Sequence, residues 1–324
     1  MSNTKTILVT GGAGFIGSNL CDFLINKEIT IVCLDNFDNF YSEEIKKNNI
    51  KHLIKNPLFK LIKGDVRNKV LLEEIFLKNK IDFVIHLAAK AGVRNSISTP
   101  IDYFDVNVNG TLILLEAMKS YGVKNLIFAS SSSVYGNKNG NQNETESCNE
   151  QISPYAVSKK AAELLNYSYY VNFNINVINL RMFSVYGKNQ RPDLVIHKFI
   201  NQISKNEPIE IYGNIDTTRD YTHIDDIMSA FNSSIEFLKT SERNVYETIN
   251  IGSSNPISLR QLIGIIEKTI KPQNIKIIEN KFIKGEVTNT HADLNKAKKI
   301  LNYKPTVSIE DGIKKFYNWY KLKK

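Results

Sequence analysis

The chain has 324 residues, of which 42% are hydrophobic and 23% charged, an ordinary globular composition for one large core or two smaller ones. No apolar run reaches the ~20 residues of a membrane-spanning helix, and KTILVTGG reads as a strand so early that we expect no signal peptide. Three cysteines and five histidines, all scattered, predict no metal site and suit a reducing cytoplasm. The net charge of +9 comes from dispersed lysines without a basic stripe, so we expect neither a nucleic-acid nor a membrane partner.

Apolar segments alternate with helix-like segments over the first 181 residues. Strands are predicted at 6–10, 30–35, 59–65, 82–89, 125–131 and 175–181, and helices at 14–27, 70–79, 101–121 and 154–172. This alternation predicts a Rossmann-type α/β fold with a doubly wound parallel sheet. The strands show little polar alternation, which is typical of strands buried on both faces.

The pattern changes after residue 181 and becomes more α+β. Helices are predicted at 191–206, 223–238 and 258–270 and at the C-terminus, and short strands near 209–212, 247–252 and 275–278. We expect a dinucleotide-binding domain of residues 1–180 with about 223–252, and a smaller α+β substrate-binding domain of 181–222 and 253–324. The second domain should cover the carboxyl edge of the sheet, where doubly wound folds bind ligands.

TGGAGFIG at 10–17 follows the first strand and opens the first helix, with glycines at Gly11, Gly14 and Gly17. Glycines in this context allow a tight turn and the approach of a pyrophosphate to a helix N-terminus. Asp35 ends the second strand, where a carboxylate binds the adenosine ribose 2′-hydroxyl and repels a 2′-phosphate, so NAD is predicted over NADP. Asp65, after the third strand, is placed either for an adenine contact or as a helix cap.

Tyr155 and Lys159, in SPYAVSKKAAELL, lie one helical turn apart and share a helix face. An ammonium beside a phenol favours the phenolate and lowers its pKa, which makes the pair a candidate general base for an alcohol proton. Such a pair on an exposed helix is usually only solvated. The glycine turn and the serine run at 130–133 favour the catalytic interpretation, although serines are also common in strand-end turns.

Taken in order, TGGAGFIG, LDNF, HLAA, SSSVYG, YAVSK and RDYTHIDD resemble the extended short-chain dehydrogenase/reductase family, and within it the nucleotide-sugar 4-epimerases. LAAKAGVRNSI and VYGKNQRPDLVIHKF look most like UDP-glucuronate 4-epimerases. The resemblance covers about residues 5 to 320. It implies an NAD-dependent isomerase that oxidises C4 of a UDP-sugar, lets the keto sugar turn and returns the hydride, in polysaccharide biosynthesis. The alternative substrates are UDP-N-acetylhexosamines and UDP-glucose/galactose.

The resemblance also implies site residues and assembly. Ser131, Tyr155 and Lys159 would be catalytic. Besides the glycines and acids above, the cofactor would contact Phe15, Ile16, Asn36, Val66, Leu87, Ala88, Ala89 and Asn107. The sugar nucleotide would contact Ser132, Ser133, Ser184, Arg191, Tyr212 near the uridine, Arg219 on the diphosphate, and Arg94. Many relatives bind the diphosphate with an arginine where this chain has Ile283, so Arg94 or a nearby lysine would replace it. Helices 101–121 and 154–172 would form a four-helix bundle in a homodimer.

Two observations select the reaction and the substrate. The 4,6-dehydratases of this family carry an Asp–Glu pair at Ser132 and Ser133, and UDP-glucuronate decarboxylases carry a glutamate at Ser133. Without these carboxylates, elimination lacks its acid and base, and epimerisation remains. Arg191 predicts a substrate carboxylate, because its planar fork can bind one bidentately. The alternative is a surface-loop arginine beside Pro192. A non-catalytic dinucleotide-binding regulator is disfavoured by the intact Ser131, Tyr155 and Lys159.

Overall fold

A seven-stranded parallel sheet forms the centre of the protein, seen in a computed structural model that describes residues 5–138, 140–272, 275–280 and 287–323. The strands are β1 (Thr6–Thr10), β2 (Thr30–Asp35), β3 (Phe59–Lys63), β4 (Phe83–His86), β5 (Asn125–Ser131), β6 (Asn176–Met182), β7 (Ser184–Tyr186), β8 (Ile209–Tyr212), β9 (Thr218–Arg219), β10 (Tyr221–His223), β11 (Tyr246–Ile251), β12 (Ile257–Ser258) and β13 (Ile277–Asn280). The helices are α1 (Phe15–Ile25), α2 (Glu43–Ile50), α3 (Lys69–Lys78), α4 (Val93–Ser98), α5 (Pro100–Phe104), α6 (Gly110–Ser120), α7 (Pro154–Phe173), α8 (Val195–Ser204), α9 (Ile224–Thr240), α10 (Leu259–Ile270), α11 (Asn295–Leu301) and α12 (Ile309–Leu322).

The strand order is β11-β6-β5-β4-β1-β2-β3, and every neighbouring pair is parallel. Side chains of α1 and α9, such as Leu20 and Phe231, cover one face of the sheet. Side chains of α3, α6 and α7, such as Leu72 and Leu115, cover the other. This is the doubly wound fold that the sequence predicted. The order reverses between β1 and β4, so the carboxyl ends of these strands form the crevice where such folds bind ligands.

The second half contributes to two cores. β11 pairs with β6 and extends the central sheet, although β7 to β10 precede it in the chain. Phe199, Ile209, Leu262 and Phe316 belong to a separate hydrophobic cluster between α8, α10 and α12. Short ladders join β7 to β10, β9 to β12 and β8 to β13. The division into two domains stays a prediction. Among the described residues, no helix is long and apolar enough to cross a membrane.

Two predicted helices differ from those observed. The segment 101–121 forms two helices, α5 and α6, joined by a π-helical turn at Asp105–Asn109. Hydrophobic periodicity does not register such a one-residue insertion, and π-turns are frequent at functional sites. The helix predicted at 191–206 begins only at Val195, after a turn at 192–193 and with Leu194 in an extended conformation as its N-cap. The prediction also missed α2, whose EEIKKNNI has no apolar stripe.

A buried ion pair holds α7 against the sheet. Arg181 on β6 donates from Nε and Nη2 to the two carboxylate oxygens of Glu163 on α7, at 2.8 and 2.7 Å. The two side chains are 4% and 2% exposed. Ser130, at the end of β5, donates to the same carboxylate at 2.6 Å. The position of α7 relative to the ends of β5 and β6 therefore depends on this pair.

We expect Arg181→Met to lower the free energy of unfolding by about 3 kcal/mol, because the buried Glu163 carboxylate loses its bidentate partner and keeps, as an ion pair, only the longer contact to Lys160 at 3.4 Å. Arg181→Met combined with Glu163→Leu should recover most of that loss, because neither charge of the pair then remains buried. Urea denaturation of both variants measures the difference. A double variant less stable than the single one would contradict this account.

Candidate active site

The turn between β1 and α1 is packed too closely for side chains. Gly11 has a φ of +72°, and a Cβ there would lie 2.8 Å from the backbone nitrogen of Ala88. A Cβ on Gly17 would lie 2.2 Å from the carbonyl oxygen of Gly11. Gly14 caps the N-terminus of α1, and the oxygen of Tyr41 lies 3.9 Å from where its Cβ would be. The start of α1 is thus bare backbone, suited to binding an anion.

A cavity of about 220 Å³ opens in front of this turn, at the carboxyl ends of the central strands. Its lining includes these predicted cofactor contacts: Gly11, Gly14, Phe15, Ile16, Gly17, Asp35, Asn36, Asp65, Val66, Leu87, Ala88, Ala89, Tyr155 and Lys159. Arg191, a predicted sugar contact, also lines it. The lining residues that the sequence analysis did not single out include Phe40, Tyr41, Lys46 and Lys90. The fold thus gathers the predicted cofactor contacts except Asn107, together with one predicted sugar contact, around one cavity.

Asp35 sits at the end of β2 with both carboxylate oxygens engaged. Oδ2 accepts from the backbone N–H of Ala13 at 2.9 Å, and Oδ1 from that of Phe37 at 2.8 Å. Burial raises the pKa of Asp35, while these two N–H groups and the nearby Lys46 oppose the rise. The carboxylate therefore ties the glycine turn to the loop after β2 and retains lone pairs for a ribose hydroxyl.

Asp65 does not cap α3. The cap is Asn68, whose side chain accepts from the N–H of Leu71 at 3.0 Å, so the helix-cap alternative is wrong. Asp65 instead accepts from Asn36 at 2.9 Å and forms a bidentate pair with Arg67. Its hydrogen bond to Arg67 is the largest effect in lowering the pKa of Asp65 to about 2. These hydrogen bonds hold Asn36 and Asp65, two predicted cofactor contacts, in place beside the cavity.

Tyr41 and Lys46 are polar groups that only the tertiary structure brings to the cavity. Lys46 is 6% exposed, and its ammonium lies 4.8 Å from the centre of the Tyr41 ring. Burial lowers the pKa of Lys46, and Asp35 and Asp38 oppose that effect. The buried hydroxyl of Tyr41 has no hydrogen-bond partner among the described residues. Both follow β2 in a polar segment without periodicity, so no sequence signal identified them.

Tyr155 and Lys159 lie on the first turns of α7, but their electrostatics differ from the sequence expectation. Lys159 is 3% exposed, and Nζ donates to the carbonyl oxygen of Ala129 at 2.8 Å. Burial lowers the pKa of Lys159 to about 7. Burial raises the pKa of Tyr155, opposed by a hydrogen bond from Ser131 and by the charge of Arg191. The charge of Arg191 thus favours the phenolate in this structure, while the ammonium of Lys159 is desolvated and bonded to the strand.

The predicted serines lie at two neighbouring strand ends. β5 ends at Ser131, and Ser132 opens a 3₁₀ turn that continues to Tyr135. The hydroxyl of Ser133 lies 2.9 Å from that of Ser131, which leaves the Ser131 proton free for Tyr155 when Ser133 donates. Ser184 opens β7, directly after β6. Because β5 and β6 are paired with Ser131 opposite Met182, these hydroxyls belong to one edge of the sheet.

Asn107 lies behind the cavity and not in its wall. Its amide nitrogen donates to the Ser158 hydroxyl at 2.9 Å, and Ser158 donates to the backbone carbonyl of Tyr155 at 2.8 Å. Its amide oxygen accepts from the N–H of Lys90 at 2.8 Å. Asn107 therefore links the loop after β4 to the start of α7, and the π-helical turn that carries it supplies this reach.

A buried histidine continues this connection to β1. Thr111 donates to the carbonyl of Asn107 at 2.6 Å, so it accepts from Nε2 of His86, at 3.0 Å. Nδ1 of His86 then accepts from Thr10 at 2.7 Å, and Thr10 accepts from the N–H of Ala88 at 3.2 Å. Burial lowers the pKa of His86 to about 3, so the ring is neutral and the chain of hydrogen bonds keeps one direction.

Arg191 is an interior residue, not a surface-loop residue. Its side chain is 13% exposed and stacks on Phe40, with 4.8 Å between the guanidinium carbon and the ring centre. Nε and Nη2 donate to the two oxygens of Asp193 at 3.0 and 2.8 Å. The alternative that Arg191 is an exposed surface arginine beside Pro192 therefore does not agree with this burial.

The remaining predicted sugar contacts lie farther along the chain. The Arg94 guanidinium lies 4.9 Å from the centre of the Tyr212 ring, and this contact joins α4 to β8. Arg219 donates to the carbonyl of Thr288 at 2.6 Å and to that of Val287. The Ile283 position lies outside the described residues. Within the described part of the chain, no group of three or more His, Cys, Asp or Glu side chains could hold a metal ion.

The class of protein follows from how these parts combine. A Rossmann sheet whose switch-point cavity also holds a tyrosine and a lysine from one helix is the site of a short-chain dehydrogenase/reductase. The family model described as GDP-mannose 4,6 dehydratase matches residues 8–316. The chain belongs to this family of extended short-chain dehydrogenases/reductases, as its motifs predicted.

Relatives of known activity agree with this membership. The chain is 42% identical over 315 residues to a UDP-glucuronate 4-epimerase of Thermodesulfobacterium geofontis, covering 97% of this chain and 95% of that protein. The crystal structure of UDP-glucuronic acid 4-epimerase from Bacillus cereus with UDP-glucuronic acid and NAD matches with a TM-score of 0.91 and 37% identity, over 98% of this chain and 100% of that one. The UDP-glucose 4-epimerase of Thermotoga maritima with UDP-glucose matches with a TM-score of 0.89 and 29% identity, over 98% of this chain and 99% of that one. The expected NAD cofactor agrees with the NAD bound in the Bacillus cereus enzyme.

The buried ammonium of Lys159 should reduce stability. The unfolded chain keeps this proton up to a pKa of 10.5 and the folded protein releases it near 7, so wild-type stability should rise with pH between these values. We expect Lys159→Met to stabilise the nucleotide-free protein by about 2 kcal/mol at pH 6, after allowance for the lost bond to Ala129, and by less as the pH rises above 7. Urea denaturation at pH 6 and 9 measures the gain, and a gain larger at pH 9 would contradict the desolvation argument.

Proposed function

We propose that this chain is an NAD-dependent 4-epimerase that interconverts UDP-glucuronate and UDP-galacturonate. The observation that carries the proposal is Arg191, a nearly buried guanidinium in the cavity that also holds Tyr155 and Lys159. A carboxylate is the substrate group that gains most from such a planar donor. UDP-glucuronate carries one at C6, whereas UDP-glucose does not.

The residues present fit NAD. Gly11 and Gly17 keep the turn free of side chains, and Gly14 leaves the start of α1 open to a diphosphate. The carboxylate of Asp35 suits a ribose hydroxyl, and the unpaired hydroxyl of Tyr41 offers a further donor. When bound, NAD would accept the hydride of C4 and return it. We assign the other lining residues of the predicted cofactor set to the same role.

Tyr155 is the proposed acid–base group. It would take the proton of the C4 hydroxyl as the hydride leaves and give it back when the opposite face is reduced. Ser131 would donate to the reacting oxygen or to the phenolate, and the charge of Arg191 favours that phenolate. Lys159, buried behind Tyr155, would turn its ammonium from the Ala129 carbonyl toward the nicotinamide ribose.

The keto intermediate makes demands that the serines and Arg191 would meet. Oxidation at C4 produces a β-keto acid. Such an acid loses CO₂ when the bond between C5 and the carboxylate carbon aligns with the π orbitals of the C4 carbonyl. Arg191 with Ser131, Ser132 and Ser184 would hold the carboxylate out of that alignment. No carboxylic acid stands at Ser132 or Ser133 to promote elimination. The sugar can turn only if the nucleotide stays fixed, a task we assign to Arg94, Tyr212 and Arg219.

We also propose that the protein is a cytoplasmic homodimer. α5, α6 and α7 pack against one another and expose apolar side chains on their outer faces. Ile101 is 81% exposed and Leu164 59% exposed; the others are Phe104, Leu112, Val157, Tyr167 and Val171. An apolar surface of this kind is typical of an interface, and pairing it with a second copy would form a four-helix bundle. The three cysteines are free and buried, which suits a reducing compartment.

The proposal predicts that the purified protein converts UDP-glucuronate to UDP-galacturonate without added reductant and without release of CO₂. Proton NMR of the sugar anomeric signals measures this conversion, and Tyr155→Phe should abolish it because the proton acceptor is lost. If the protein converts only UDP-glucose or UDP-N-acetylglucosamine, the proposed epimerase mechanism stands, but UDP-glucuronate is rejected as the substrate. A UDP-pentose product would show that decarboxylation occurs, and would contradict the argument that Ser133, in place of a glutamate, excludes it.

Arg191→Ala should raise the KM for UDP-glucuronate roughly 30- to 150-fold, because the loss of a charged hydrogen-bonding partner costs about 2–3 kcal/mol of binding free energy. The KM for UDP-glucose should change little. Arg260→Ala is the control, since Arg260 forms a similar bidentate pair with Asp216 but both side chains are largely exposed. An unchanged KM for UDP-glucuronate would reject the carboxylate role of Arg191.

A further inference from the structure

The guanidinium of Arg191 is held along one edge only. Nε and Nη2 share that edge and both donate to Asp193, whereas Nη1 points away from it. The hydrogen bonds that the Arg191 side chain makes with the described residues come from Nε and Nη2, and none comes from Nη1. A guanidinium has five N–H donors in a fixed plane, so a pair on one edge leaves the opposite corner available.

The chain itself contains an arginine that binds two carboxylates with this division of edges. Arg67 donates from Nε and Nη2 to the two oxygens of Asp65, each at 2.8 Å. Its Nη1 donates to a second carboxylate, that of Asp105. Arg191 likewise binds one carboxylate, that of Asp193, through Nε and Nη2, but the described residues offer no second carboxylate to Nη1. A carboxylate from the substrate would complete the same arrangement.

The backbone around Arg191 is fixed from both sides. Asn19 on α1 donates to the carbonyl of Lys188 at 2.9 Å, and Asn189 donates to the hydroxyl of Ser18 at 3.1 Å. On the other side, His197 on α8 bonds the carbonyl of Gln190 at 2.7 Å. These contacts place the start of the side chain, so the rotation of the guanidinium is what remains to be set.

Two contacts set that rotation. Phe40 lies against the flat face of the guanidinium at 4.8 Å and fixes its plane. Asp193 fixes the turn within that plane by taking the Nε–Nη2 edge. The Asp193 side chain is 46% exposed, so water screens its charge, whereas Arg191 is 13% exposed. A second carboxylate can therefore approach the arginine without facing an equally buried negative charge.

We propose that Asp193 is a positioning residue for substrate selection: it holds one edge of Arg191 so that the Nη1 corner is ready for the hexuronate carboxylate of the sugar. This inference rests on the proposed function and deepens it. Asp193 stays on Arg191 when the substrate binds and does not compete with it. A neutral hexose gains little from the prepared corner, so the effect of Asp193 is specific to acidic sugars.

The test measures dissociation constants by calorimetry on the NAD-loaded protein with Tyr155→Phe, which stops turnover. The ligands are UDP-glucuronate and UDP-glucose. The variants are Asp193→Asn, Asp193→Glu and, as a matched bidentate pair on the surface, Asp216→Asn. We expect Asp193→Asn to weaken UDP-glucuronate at least tenfold and to leave UDP-glucose within twofold. Asp193→Glu should restore most of the affinity, and Asp216→Asn should change neither ligand.

Each other result overturns the inference. Tighter binding of UDP-glucuronate by Asp193→Asn would mean that Asp193 competes with the substrate. Equally weaker binding of UDP-glucuronate and UDP-glucose would mean that Asp193 has a general structural role. Unchanged binding of both ligands would mean that Asp193 has no role in binding. If the parent protein itself does not prefer UDP-glucuronate to UDP-glucose, the substrate proposal fails first, which is distinct from a failure seen only in the Asp193 variants.

Discussion

The position of α7 against the ends of β5 and β6 is the constraint on which the site depends. This helix carries Tyr155 and Lys159, and its inner face is held by the buried pair of Glu163 with Arg181. Its first turn is held separately, through the hydrogen bond from Asn107 to Ser158. A shift of about 1 Å in a catalytic group can lower a rate by two orders of magnitude, so two independent attachments of one helix are functionally meaningful.

Burial has opposite effects on the two catalytic groups. It raises the pKa of Tyr155 and lowers that of Lys159 to about 7, so burial disfavours both the phenolate and the ammonium. Ionisation of Tyr155 is then left to the groups that face it, the Ser131 hydroxyl and the Arg191 guanidinium. Arg191 would therefore have two proposed roles: it would bind an acidic sugar, and it would stabilise the phenolate that takes the proton of the C4 hydroxyl while NAD takes the hydride.

Cofactor and substrate residues are joined through the segment that carries Arg191. Asn19 of α1 donates to the carbonyl of Lys188, so the helix behind the glycine turn also supports the loop that carries Arg191, a proposed sugar contact. Phe40, from the loop after β2, supplies the surface on which Arg191 stacks. Because these contacts connect segments about 170 residues apart, the two binding regions cannot move independently of one another at this point.

The sequence by itself determined what local pattern can encode. The glycine turn, the acid at Asp35, the alternation of strands and helices and the Tyr155–Lys159 spacing are short-range features, and their ordered combination identified the family. Tertiary structure alone decided the π-helical turn, the burial of Arg191 and its pair with Asp193, the arrival of Tyr41 and Lys46 in the cavity, and the orientation of Lys159 toward Ala129. The physical reason is that pKa values, exposure and hydrogen-bond partners are set by neighbours distant in sequence, and periodicity contains no record of them.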